Sequence, residues 1–145
     1  MLIETLKKTL ASSYVFQLKA RQFHWNVESA NFNEYHDFFD ELSTEVYEST
    51  DKNAEFIRVL DDYAPGSLSR FQELSIIGDQ NKIPRAELMI FELFQDTTKM
   101  VELFKDAFDI AEDAREQGIA DYFASRIDAF GKHAWKLRSM LKARE

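Results

Sequence analysis

The sequence predicts an all-α protein, a four-helix bundle with one long crossover that carries a short helix. Three observations support this. Only 4 glycines and 2 prolines occur in 145 residues, leaving few places for the tight turns a sheet would need. Apolar residues recur at helical spacing through long windows, as in Ile90, Leu93, Thr97, Val101, Phe104, Phe108 and Ala111. Between two such windows the pattern weakens from Pro65 to Ile83. A connection that long inside an all-helical chain fits a crossover between parallel helices.

The first helix spans about residues 3 to 26. Its apolar residues Leu6, Leu10, Phe16, Leu18 and Phe23 fall on more than one face, as in a helix with neighbours on several sides. Val27 to Ala30 form the turn. Asn31, with Glu34 three residues later, reads as a capping box that opens the second helix. That helix extends to about Tyr63 and is stopped by Pro65, because proline disfavours helical backbone at the residue before it. Ser67 to Phe71 opens a short helix in the crossover. The third long helix begins with Pro84 in its first turn, where a missing N–H costs nothing, and ends at Gly118. The fourth runs from about Ile119 to the C-terminus, with Phe123, Ile127, Phe130, Ala134, Leu137 and Leu141 on one side. No repeat or low-complexity tract interrupts the pattern, so residues 1–145 read as one domain, large enough to bury a substantial core.

Composition removes several function classes. With 26 acidic against 18 basic residues the net charge is −8, a balance that repels phosphate backbones and attracts cations. The absence of cysteine excludes disulfides, thiolate metal sites and cysteine nucleophiles, and it fits a reducing, cytoplasmic location. No apolar run is long enough to span a membrane, and Met1 to Glu4 leads into helical pattern without a signal peptide. The 13 phenylalanines exceed what one small bundle core obviously needs, which points to oligomer interfaces.

The chemistry is concentrated between His24 and Glu55. His36 and Asp40 are four residues apart, as are Asp51 and Glu55, so each pair presents two ligand atoms from one helix face. In the helical hairpin His24 precedes the turn and His36 follows it, which brings the two imidazoles to one height. Imidazole with carboxylate suits iron, zinc or manganese. From the first pair to the second is ~22 Å along a straight helix, so one ion cannot touch both pairs of one chain. If both pairs bind the same ion, the second must come from another subunit. The buried stripe of this helix is Tyr35, Phe39, Leu42, Val46, Ile57 and Leu60, and the four ligand candidates point away from it. An exchange of pairs between two chains is a two-fold operation with antiparallel helices. Its axis would cross between Glu45 and Val46, with Thr44, Tyr47 and Glu48 facing the partner.

The run His24-Trp25-Asn26-Val27, followed by Phe32, His36, Phe39, Asp40, Asp51 and Glu55, resembles the Dps family, the DNA-protection-during-starvation mini-ferritins. Pro65-Gly66-Ser67 and the stretch from Ala134 to Leu141 extend the resemblance through nearly the whole chain. The resemblance implies a ferritin-like bundle assembled into a hollow dodecamer that oxidises Fe(II), preferably with hydrogen peroxide, and stores the ferric mineral. It implies a ferroxidase centre at a two-fold interface, with His24, His36 and Asp40 from one subunit and Asp51 and Glu55 from its partner. Five ligands would hold one iron well and a second weakly. Three departures stand out. Phe56 replaces a frequent arginine, Ser29-Ala30 replaces Gly-Pro at the first turn, and the lysine-rich N-terminal tail that many members use to hold DNA is absent. DNA binding is therefore expected to be negligible.

Each residue also has a plainer reading. The histidines and Asp40 could be polar residues satisfied at an interface, but five ligand types at two matched spacings favour a metal site. Trp25 reads as interface packing. His133 has Ala129 four residues before it, not a carboxylate, and reads as non-catalytic. Asp121, Ser125 and Asp128 share a face near the start of the last helix, where Dps shells have acidic pores. Asp121 and Asp128 are thus candidate pore residues, with a solvated polar face as the alternative. Lys136, Arg138, Lys142 and Arg144 read as favourable charge at a helix C-terminus. The residues three before the histidines are Arg21, Asn33 and Phe130, so the Glu-x-x-His pairs of classical ferritins are missing. A DNA-coating nucleoid protein, or a structural helical shell with a relic site, remains the alternative to a ferroxidase.

Overall fold

The computed structural model describes residues 1–142; Arg144, counted above in the basic end, lies outside them. The chain forms α1 (Leu2–Asn26), α2 (Phe32–Val59), α3 (Leu68–Leu74), α4 (Ala86–Asp113) and α5 (Gln117–Leu141). α1 packs along α2 and α4 along α5, and the two hairpins join through α1 and α4. The short α3 lies in the crossover against α1. Ser67 caps it, its hydroxyl accepting from the Arg70 N–H at 3.3 Å. Among the described residues no helix is long and apolar enough to cross a membrane.

The apolar stripes become one continuous core. Phe16, Phe23, Phe39, Phe104, Phe123 and Phe130 are each at most 1% exposed. The ring of Phe130 lies 5.2 Å from Phe16 on α1 and 5.2 Å from Phe104 on α4, tying three helices together. Most of the phenylalanines that suggested oligomer interfaces therefore belong to this core. The exposed large apolar residues of α1, α2 and α3 are instead Leu18, Trp25, Phe32, Tyr47, Val59 and Leu68.

Polar pins set the register of the first hairpin. Asn53 is fully buried; it accepts from the Thr9 hydroxyl at 2.8 Å and donates to the Leu6 carbonyl at 2.8 Å. Ser43 donates to the Gln17 carbonyl at 2.9 Å. Buried side chains that bond across helices penalise sliding or rotation, since a shift leaves them unsatisfied. With Asn53 turned inward, its near neighbours Asp51 and Glu55 are exposed.

Helix ends depart from expectation in four places. α2 stops at Val59, not near Tyr63. Asp61 adopts φ 64°, Asp62 N–H bonds the Ile57 carbonyl and Asp61 N–H the Arg58 carbonyl, a left-handed cap that satisfies the last carbonyls before Pro65 is reached. α4 ends the same way at Asp113, with Arg115 at φ 59° and Glu116 N–H on the Ala111 carbonyl. Gly118 is helical, within the first turn of α5. Pro84 precedes the N-cap Arg85 and does not occupy the first turn. Asn31 is the N-cap of α2, but its side chain makes no capping bond; its N–H bonds Ser29 Oγ at 3.0 Å.

Candidate metal centre

The turn between α1 and α2 brings His24 and His36 together. Their rings stack with centroids 3.9 Å apart and 19° between planes, and Phe32 stacks on the outer side of His36 at 4.9 Å. His24 Nδ1 donates to the His36 carbonyl at 2.6 Å, and His36 Nδ1 donates to the His24 carbonyl at 2.7 Å. A carbonyl only accepts, so both Nδ1 atoms carry the proton when the imidazoles are neutral. Both Nε2 atoms are then lone-pair donors with fixed direction, the tautomer a metal requires. Val27 behind the turn is 2% exposed, anchoring the pair to the core.

Asp40 follows one turn after His36. Its Oδ1 accepts from Arg21 Nη1 at 2.6 Å, and Arg21 Nη2 reaches Thr44 Oγ1 at 3.1 Å. The Arg21 hydrogen bond holds the Asp40 carboxyl below the usual carboxylate range, so it is an ionised ligand candidate throughout the neutral region.

Asp51 and Glu55 lie farther along α2, both exposed and off the buried stripe of Phe39, Leu42, Val46 and Ile57. Asp51 borders a surface groove of about 550 Å³ lined by Leu10, Tyr14, Tyr47, Leu68 and Phe71 among others. Among the described residues no three histidine, aspartate or glutamate side chains converge within the chain. The structure brings His24 and His36 together, sets Asp40 one turn away, and leaves Asp51 and Glu55 apart from them. Asp121 and Asp128 are exposed on α5.

Two features escaped the sequence reading. Arg21 lies one turn before His24 on α1, but its partners Asp40 and Thr44 are on α2, so no local spacing marked it. The second is a cluster joining α2 to α5. Arg126 binds both oxygens of Glu45, at 2.6 and 3.1 Å, and His133 Nε2 meets Glu45 Oε1 at 2.7 Å. The carboxylate partner of His133 thus comes from another helix, not from its own. Burial pushes the Glu45 carboxyl up, but hydrogen bonds from His133 and Arg126 outweigh it and hold it at about 2. Phe56, the departure from a frequent arginine, packs edge-on against Tyr122 at 5.5 Å.

Four helices in two hairpins, one crossover with a short helix, and imidazole and carboxylate on an outward face define a ferritin-like protein. Residues 3–145 match the ferritin-like domain family. The chain is 30% identical over 139 residues to DNA protection during starvation protein 2 of Bacillus anthracis, covering 96% of this chain and 95% of that one. It is also 30% identical over 142 residues to a low temperature-induced protein of Nostoc sp., covering 97% and 79%. Dps from Staphylococcus aureus superimposes with a TM-score of 0.95 at 31% identity, covering 99% of this chain and 96% of that one. Dps from Bacillus brevis gives 0.94 at 28%, covering 97% and 95%. The chain belongs to the Dps family of ferritin-like proteins, a family of iron handling and DNA protection.

Proposed function

We propose that this protein is a ferroxidase and iron-storage shell. In this reading it oxidises Fe(II) with hydrogen peroxide at sites shared between two subunits and keeps the ferric product in a hollow dodecamer. The observation that carries the reading is the reciprocal His24–His36 pair, whose Nδ1 atoms are both spent on carbonyls and whose Nε2 atoms are free. Asp40 adds an ionised oxygen one turn away. Asp51 and Glu55 stand ~22 Å farther along α2, on an exposed face suited to meeting the His24, His36 and Asp40 group of a two-fold partner.

The donor set fits Fe(II) as substrate. Neutral imidazoles bind the ferrous ion, while carboxylates favour the higher charge that develops as it is oxidised. The five side chains leave positions for water and peroxide. Two ferrous ions each give one electron to the peroxide, its O–O bond breaks, and both oxygens leave as hydroxide. A paired delivery releases no hydroxyl radical, which is the protective value of the reaction. One ion is held firmly and the second weakly. Exposed Asp121 and Asp128 on α5 would line a pore by which Fe(II) reaches the interior.

Anaerobic loading with Fe(II) followed by peroxide, read as ferric absorbance, tests the assignment. His36→Ala should slow oxidation by at least about 10- to 100-fold, as loss of a metal ligand costs at least what loss of a group orienting one does, while the assembled size is unchanged. Oxidation at the parental rate would reject the site.

A further inference from the structure

We propose that Phe32 is a positioning residue of the metal centre, and that with Val59 of the partner subunit it forms an apolar cap over the His36 end of each shared site. The inference rests on reading His36 and Asp40 of one chain with Asp51 and Glu55 of another as one site, and it adds the groups that close that site. Phe32 and Val59 are the first and last residues of α2, and both are exposed, at 41% and 75%. The centre of α2 falls between Glu45 and Val46, the same point at which the spacing of the ligand pairs sets the two-fold axis. Two such helices, antiparallel about that point, end flush with each other. The register that faces His36 with Glu55 and Asp40 with Asp51 then continues one helical turn outward. Phe32 lies four residues before His36, and Val59 lies four residues after Glu55.

Half of the cap is present within one chain. The Phe32 N–H bonds the Ser29 carbonyl at 3.1 Å, which ties its backbone to the turn. Its ring lies on His36 at 4.9 Å with 22° between planes, and His24 covers the inner face of His36 at 3.9 Å. The Nδ1 bond to the His24 carbonyl fixes one edge of the imidazole, and the two flanking rings fix its plane. His36 Nε2 is thereby aimed by contacts from three sides. What one chain leaves open is the outer surface of the Phe32 ring. Val59 of the partner subunit covers it with methyl groups alone, and an apolar shell of this kind limits solvent access to a metal site.

The first test is geometric. The chain has no cysteine, so a double variant Phe32→Cys with Val59→Cys carries two thiols that lie ~40 Å apart within one helix. A short thiol-specific cross-linker added to the assembled protein should therefore join chains in pairs, and neither single variant should give such pairs. Assembly without cross-linked pairs overturns the cap, as do pairs formed equally well by a single variant. The second test is anaerobic Co(II) binding to the assembled protein, read by visible absorbance. Phe32→Leu, apolar but unable to stack, should bind Co(II) at least about tenfold more weakly and with altered bands, and Phe32→Tyr should restore both. Parental affinity and spectrum in Phe32→Leu overturn the positioning role. His36→Ala and Asp51→Ala, titrated alongside, test the underlying reading separately. Full affinity in either rejects the shared site itself, whereas weakened binding in both with Phe32→Leu unchanged rejects only the cap.

Discussion

At the scale of single residues, charge placement decides what each side chain can do. Glu45 shows this most clearly. Burial alone would raise its carboxyl, yet His133 and Arg126 hold it at about 2, against an ordinary value of 4.5. A carboxylate depressed in the folded state contributes stability that is present above its unfolded value. That contribution is lost as pH falls from about 4.5 towards about 2. Glu45 is 39% exposed, so solvent screening reduces the effect to about 1–2 kcal/mol at neutral pH. Urea unfolding of Glu45→Gln and the parent at fixed protein concentration should show that gap at pH 7 and a smaller one at pH 3. An equal gap at both values would contradict the account. The spacing of His36, Asp40, Asp51 and Glu55 was legible in the sequence because i, i+4 neighbours are a local property of one helix. The reciprocal bonds of His24 and His36, the Arg21 grip and the Glu45 cluster were not. Each depends on how one helix is set against another, with partners 12, 19, 81 and 88 residues apart.

Among the elements, α1 has the most to hold, with α2, α3 and α4 all against it. Its mixed periodicity follows, because polar residues are buried on it beside apolar ones. Lys19 is 5% exposed and Asp96 on α4 is 4% exposed, with Nζ and Oδ2 2.7 Å apart. Burial pushes the Asp96 carboxyl up and the Lys19 hydrogen bond works against it. Lys19→Met alone should cost about 3–5 kcal/mol, because it leaves a buried acid without its partner. Pairing it with Asp96→Leu should recover most of that loss, as apolar replacements of whole buried pairs often do. A double variant no more stable than the single one would show that the pair does not act as a unit. The long stripes of α2, α4 and α5 were readable because burial follows a 3.6-residue period. The helix ends were less so. Asp61 and Arg115 carry the left-handed caps that glycine usually provides, while Gly118, the obvious stop signal, is an ordinary helical residue.

For the whole molecule, the net charge of −8 per chain multiplies on assembly. In the proposed shell that charge would repel DNA and draw in ferrous ions. No band shift with duplex DNA is expected at about 150 mM salt, where screening leaves only contacts within ~8 Å. A retained shift would favour the DNA-coating alternative. The family of the bundle was legible because its motif residues cluster in one hairpin. The spacing within α2 predicts where a two-fold axis would cross, between Glu45 and Val46. The groove beside it, with exposed Tyr47, Leu68 and Asp51, depends on how separate helices are set together and had no local signal. The central claim is that each site takes His24, His36 and Asp40 from one chain and Asp51 and Glu55 from another. Co-assembly of His36→Ala with Asp51→Ala chains tests it directly, by peroxide-driven Fe(II) oxidation. Each variant alone should be nearly inactive. A shared site predicts that random mixing restores about a quarter of the parental activity, since half of the dimers are mixed and each rebuilds one of its two sites. Mixed assemblies as inactive as either parent variant would contradict the account.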